Sequence, residues 1–278
     1  MGVWHAATQG AEPLGYHQAL RLTLLRRHQG TWWMLEEGGR LVSSLMCYPL
    51  RFADGDGVVA GYGIGAVATR PEARRRGHAA ALCRRAIEVA EGAGRSIGLL
   101  FSAISPAYYA RLGFSVVPAW RHVCSSAAEL AASGPQAELV PLDPRLDVET
   151  LTACYRAVHG GLHVHRDENE WREALVRNAR DVFFGLGAPL QGYVRLNTDD
   201  QEGIEVVELM VPPQEQESVL RAVAGLTAAM GRREVEGWFD PVPGLAAFFE
   251  DRGRASTLPM VRGTRDVAEA RFWGSDYF

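Results

Sequence analysis

The chain has 278 residues, enough for two domains of roughly 100–150 residues, and its 47% hydrophobic and 22% charged content fits a packed globular core rather than disorder. A formal net charge of -4 excludes a general nucleic-acid binder, because neutralising phosphates needs a surplus of Lys and Arg. No apolar run approaches the ~20 residues of a membrane-spanning helix and the first residues lack the pattern of a secretion signal, so a cytoplasmic protein with no membrane partner is expected.

Residues 14–28 carry apolar positions at helical spacing, and TWWMLEEGGRLVSSLMCYPL predicts two strands joined at Gly38-Gly39. The stretch 58–69 (VVAGYGIGAVAT) predicts a strand in which Gly61, Gly63 and Gly65 mark a bulge or the close approach of a ligand. A helix comes next from His78 to Glu91, ended by Gly92 and Gly94; then come a buried strand (96–103), a short helix in SPAYYARL and a strand from Phe114. Residues 125–147 turn to Ala, Ser, Gly, Pro and acidic residues, the best seam between domains. Beyond it a helix (168–180), paired strands VFFGLG and LQGYVRLN, the strand EVVELMV and the helix SVLRAVAGLTAAM repeat the order of the first half, as in a weak duplication. The last strand of this second half falls near Met260-Val261. Cys47, Cys83, Cys124 and Cys154 stand far apart, never as CxxC, and are expected as buried free thiols.

The strongest functional signal is the junction ATRPEARRRGHAAALCRRAIE, where a strand meets a helix through Arg74, Arg75, Arg76, Gly77, His78 and Ala79. A helix start presents unpaired backbone N–H groups and partial positive charge, which suit a diphosphate. Gly77 and Ala79 add no bulk, and flanking arginines add charge-assisted donors. No Gly-Lys-Ser/Thr occurs here, so a Walker loop is not the rival; a solvated arginine turn is. Behind the strand end V-x-T-x-P, this R-x-x-G-x-A resembles the acetyl-CoA-binding motif of the GNAT acetyltransferase superfamily. The resemblance implies that the backbone of Val67, Ala68 and Thr69 meets the pantetheine arm of acetyl-CoA, that N–H groups from Arg75 to Ala79 hold the diphosphate, and that two strands splay to admit this co-substrate.

SPAYYARLGF resembles the second landmark of the same superfamily, a short helix whose tyrosine, here Tyr109, precedes a Gly-Phe pair. A tyrosine within reach of the sulfur can protonate the departing coenzyme A thiolate; the alternative is a packed aromatic, the role expected of Tyr108. Ser102 either touches the cofactor or finishes its strand. No internal carboxylate announces itself as the base that frees a neutral amine: Glu36 and Glu37 lie at a hairpin tip and Asp240 before a proline-rich turn. The final RFWGSDYF is too aromatic for a free tail and should dock. Two acetyltransferase-like domains with the second degenerate, and Arg166 and Trp171 in an Arg-x-x-x-x-Trp segment, resemble the enhanced-intracellular-survival family of acetyltransferases, without its sterol-carrier-like third domain. That resemblance implies a terminal carboxylate, here of Phe278, as the base; the other reading of the tail is a strap between domains.

In the second half the phosphate turn is replaced by VPPQEQESVLRAV, whose glutamates would repel a diphosphate, so this copy is expected to be scaffold and wall of the amine pocket. His159, His163 and His165 have no partners at metal-ligand spacing, and no metal is expected. The sequence thus predicts an α/β fold with mixed sheets in two tandem GNAT-like domains, a catalytic one over 1–130 and a degenerate one over 131–278. The expected activity is direct acetyl transfer to a small-molecule or peptide amine, with a non-catalytic acyl-CoA sensor as the alternative; an oligomer is open.

Overall fold

The computed structural model describes residues 30–278 except 56, 147, 160, 178–179, 253–256, 264–266, 274–275 and 277–278. The helix expected over 14–28 and the terminal Phe278 lie outside the described residues.

The hairpin forms as its pattern predicts: β1 (Thr31–Glu37) pairs antiparallel with β2 (Arg40–Asp54) across Gly38-Gly39, both with positive φ. β2 pairs antiparallel with β3 (Gly57–Thr69), which leads through the arginine turn into α1 (His78–Gly92) and then β4 (Ile97–Ser102), parallel to β3. The helix ends where Gly94, at φ 79, lets its own N–H reach Glu91 O and that of Arg95 reach Ala90 O. The second half repeats this pattern. β9 (Val182–Leu186), β10 (Gly192–Asn197) and β11 (Gly203–Met210) form antiparallel neighbours, and a helix (Gln216–Ala229) crosses to β12 (Glu234–Gly237), parallel to β11.

Beyond β4 and β12 the strands take partners that the sequence does not predict. The strand expected to close the second half, β14 (Leu258–Arg262), lies in the first sheet, antiparallel to β4 and beside β5 (Ser115–Val116). In exchange, β6 (His122–Cys124) sits in the second sheet between β12 and β13 (Glu250–Asp251). The first sheet runs β1-β2-β3-β4-β14-β5, with β8 (His163–Val164) added on β2, and the second runs β13-β6-β12-β11-β10-β9-β7, where β7 is Leu139–Leu142. Sheet membership therefore crosses residue 130 in both directions. Pattern reasoning assigns strands to the nearest core, whereas β6 and β14 are apolar segments whose ladder partners lie across the chain.

Among the described residues three apolar clusters result. α1 buries Leu82, Cys83, Ala86, Ile87 and Ala90 on one face of the first sheet. The opposite face packs Met46, Tyr48, Phe52 and Leu99 against Leu162, Val164, Ala270 and Phe272 from the second half. The second sheet carries its own core around Trp171, Tyr193, Leu220 and Val223. At roughly 1.5–3 kcal/mol for each fully buried large aliphatic side chain, the face shared by both halves ties them into one folding unit. All four cysteines are buried and free, as expected. Among the described residues no helix is long and apolar enough to cross a membrane.

Candidate active site

β3 and β4 pair only at Gly61–Gly63 against Ile97–Leu99, yet β3 continues to Thr69 and β4 to Ser102. Beyond that point β4 keeps β14 on its other edge and β3 keeps β2, so the two parallel strands open between them. The opening is built by local sequence. A bulge in β3, where Ala66 and Val67 stand opposite the single Leu45 of β2, bends the ladder, with Ala66 at a left-handed φ of 50. Ser43 fixes the far end: its hydroxyl donates to Ala68 O at 2.8 Å and lies 2.9 Å from the Thr69 hydroxyl. The edge of β3 facing the opening, around Val67, is left as a row of backbone groups available to an extended ligand.

Gly61 corrects one expectation. Its glycine is required by protein, not ligand, because a Cβ there would collide with the Phe52 ring and Ile97 O.

The arginine turn lies at the mouth of this opening. A short 3-10 turn, Pro71–Ala73, is tied to β2 through Arg70, whose backbone N–H reaches Val42 O and whose Nε reaches Leu41 O. The chain then enters α1 through Arg75 at φ 62 and Gly77 at φ 84, two left-handed residues that turn the first N–H groups outward. Gly77 brings no side-chain cap, so the first-turn donors of α1 remain for a ligand. Arg74, Arg75, Arg76 and Gly77 are exposed, while His78 and Ala79 are half-buried. Arg76 pairs with Glu37 at 2.6 Å and Arg74 Nε reaches back to Thr69 O at 3.3 Å; the side chain of Arg75 makes no bond to a described residue. A non-glycine residue held at positive φ costs energy, and such strain concentrates where a backbone is shaped for a ligand.

Two shielded polar atoms border the same region without a partner among the described residues: Nε2 of His78, at the head of α1, and the hydroxyl of Tyr108. A ligand with both donors and acceptors would satisfy them. Burial, with Cys83 adding to it, pushes the Tyr108 phenol up from its ordinary pKa and keeps it protonated. Both tyrosines lie on α2 (Ala107–Ala110), packed edge to face at 4.9 Å, with Tyr109 buried and 6.4 Å from the Phe114 ring. Sequence reasoning treats Tyr108 as packing; its unsatisfied hydroxyl, a property of three-dimensional burial, carries no sequence signal. Ser102, buried at the end of β4, donates to Ile104 O at 2.9 Å and accepts from the Ile104 N–H at 3.4 Å in its own turn.

The described part of the tail docks. Phe272 meets Phe52 at 6.3 Å, and Trp273 donates its indole N–H to His159 Nε2 at 3.2 Å. Asp276 is buried, accepts from the Trp273 N–H at 2.9 Å, and pairs with Arg166 Nη2 at 2.7 Å. Arg166 in turn pairs with Glu208 at 2.8 Å and stacks on Tyr155 and Trp171. His159 and His163 stack at 4.4 Å, and no group of three or more potential metal ligands forms among the described residues. Glu37 and Asp240 are held in ion pairs, with Arg76 and Arg271. In the second sheet the corresponding helix starts with Glu215 at its N-cap after Pro212 and Pro213, as unsuited to a diphosphate as its sequence predicts.

Residues 3–117 match a family model described as an acetyltransferase (GNAT) domain. No curated protein sequence matches the chain. Among solved structures it is similar to a probable N-acyltransferase from Enterococcus faecalis V583 (TM-score 0.76, 16% identity, 94% of this chain and 68% of that one). It is also similar to a GCN5-related N-acetyltransferase from Kribbella flavida (0.72, 17%, 94% and 66%) and to Eis1 from Mycobacterium abscessus (0.65, 18%, 94% and 69%). At these identities the likeness is one of fold, and the chain spans about two thirds of those structures' length. Residues 3–117 are thus similar to a GNAT acetyltransferase domain, and the two-sheet fold is similar to that of GCN5-related N-acetyltransferases.

Proposed function

We propose that the chain transfers an acetyl group from acetyl-CoA to a primary amine of a small molecule or peptide, by direct attack within the β3–β4 opening. The carrying observation is the coincidence of that opening with an uncapped, arginine-flanked start of α1. The first-turn N–H groups from Arg75 to Ala79 hold the diphosphate, with Arg74, Arg75 and Arg76 adding charge. The pantetheine arm extends along β3 at Val67, Ala68 and Thr69, pairing as a missing strand would, and backbone N–H near Val67 polarises the thioester carbonyl. The amine attacks that carbon, the C–S bond breaks, and Tyr109 delivers a proton to the leaving sulfur. The proton shed by the amine goes to the terminal carboxylate of Phe278, in keeping with the resemblance of the tandem layout to the enhanced-intracellular-survival family. The docking of Phe272, Trp273 and Asp276 supports a tail with a fixed path.

Coenzyme A release with acetyl-CoA and a panel of aminoglycosides, polyamines and lysine peptides tests the reading. Turnover with at least one amine is expected, and acetyl-CoA binding without turnover on any of them would favour a non-catalytic sensor. Tyr109→Phe is expected to lower kcat by about 10²-fold or more while acetyl-CoA affinity stays within twofold. Full turnover in that variant removes the acid assignment, and Tyr108→Phe is then the next variant to measure.

A further inference from the structure

The second sheet has its own opening. β11 and β12 pair only from Gly203–Val206 to Glu234–Gly237, and β11 runs on to Met210 without β12. A cavity of about 300 Å³ lies there, between Leu209 of β11, Phe239 beyond β12 and Gln216 at the start of the next helix, and roofed by Arg271 and Trp273 of the tail. None of its lining residues comes from the β3–β4 opening. Pro212 and Pro213 offer no N–H, and Glu215 and Glu217 flank the helix start, so this is not a second diphosphate site.

The polar side chains lining the cavity include His159, Gln191, Gln216, Asp240 and Arg271, and the Asp240 carboxylate is paired with Arg271. An indole N–H only donates, so Nε2 of His159 is the acceptor of its bond to Trp273, and the ring's proton sits on Nδ1. Burial holds His159 well below its ordinary pKa, which keeps the ring neutral. Arg271 is held rigid: Nε donates to Asp240 Oδ2 at 3.0 Å and Nη1 to the carbonyls of Ala268 and Ala270 at 2.7 and 2.9 Å. Among the described residues these bonds leave Nη2 as the fork's uncommitted edge, and the side-chain amides of Gln191 and Gln216 can donate as well. The walls contributed by Phe239, Trp273, Leu209 and Val158 are apolar or aromatic. We infer that this cavity binds a small carboxylic acid with a planar, apolar body, an aryl-carboxylate, its acid group on Arg271 and its ring between Phe239 and Trp273. A volume of this size is at the lower end for small-molecule sites and admits a one- or two-ring acid.

Indole-3-acetate, with indole and tryptamine as uncharged and cationic counterparts, tests this by calorimetric titration of the full chain. Saturable one-to-one binding of indole-3-acetate is expected, at least about tenfold tighter than either counterpart and unaffected by excess coenzyme A. Val158→Trp, which fills the cavity from a half-buried helix position, is expected to abolish it while thermal unfolding stays cooperative. Arg271→Gln is expected to erase the preference for the acid over indole. Absence of binding at millimolar indole-3-acetate, tighter binding of tryptamine, displacement by coenzyme A, or binding that survives Val158→Trp overturns the proposal. Because none of these readouts uses acetyl transfer, they stand or fall separately from the proposed activity.

Discussion

Two glycines show how one residue type answers to different constraints. A Cβ on Gly77 would meet nothing within 4 Å, but its φ of 84 is unfavourable for any L side chain, so Gly77→Ala is expected to cost about 1 kcal/mol in stability. A Cβ on Gly61 would meet Ile97 O and the Phe52 ring, neither of which can step aside without opening the sheet. Gly61→Ala is therefore expected to cost more, about 1–3 kcal/mol, yet to leave coenzyme A affinity closer to wild type than Gly77→Ala does. Denaturant unfolding and calorimetry on both variants check the two orders. The arginine turn is legible in sequence because its determinants are local: a strand end, a glycine and a run of charge within ten residues. Gly61 is not, because glycine in a strand signals a close approach without saying whose atoms approach, and here they belong to Phe52 and Ile97, residues the spacing alone cannot bring together.

Among the elements, the tail and the second sheet meet in a charge network that the sequence shows only as separate residues. Arg166 and Glu208 are fully shielded, and Asp276 and Arg195 complete their pairing at 2.7 and 3.2 Å. Removing one member strands a buried charge, so Asp276→Ala is expected to destabilise by about 3–5 kcal/mol in equilibrium unfolding, far more than loss of the exposed Arg76–Glu37 pair. Histidines add a pH dependence. Burial is the largest cause lowering the pKa of His122, His159, His163 and His165 from 6.5. As pH falls below about 6.5 the unfolded chain takes up protons that the folded one refuses, so stability should decline in that direction. Unfolding free energies at pH 7.5 and 5.5 test this; equal or greater stability at pH 5.5, with carboxylate effects matched in a His159→Phe background, would contradict it.

At the scale of the whole molecule, the repeat of strand and helix order is readable in the sequence, but the exchange of β6 and β14 between sheets is not. Periodicity reports which face a strand buries and is silent on which ladder it joins. Without β14 the first sheet loses the neighbour of β4 and the link to β5, so a fragment of residues 1–130 is expected to lack a cooperative unfolding transition and to aggregate, whereas the full chain unfolds as one unit. A soluble, cooperatively folding fragment would show that the exchange is dispensable. The proposed activity requires the first sheet's opening and the start of α1 to bind a diphosphate-bearing thioester carrier together. The most direct measurement is calorimetric titration of the full chain with coenzyme A and with pantetheine, which shares the arm and lacks the diphosphate. Saturable binding of coenzyme A, at least about tenfold tighter than pantetheine and weakened in Gly77→Ala, is the predicted result. Equal affinity for the two, or no heat with coenzyme A from a cooperatively folded chain, would contradict it.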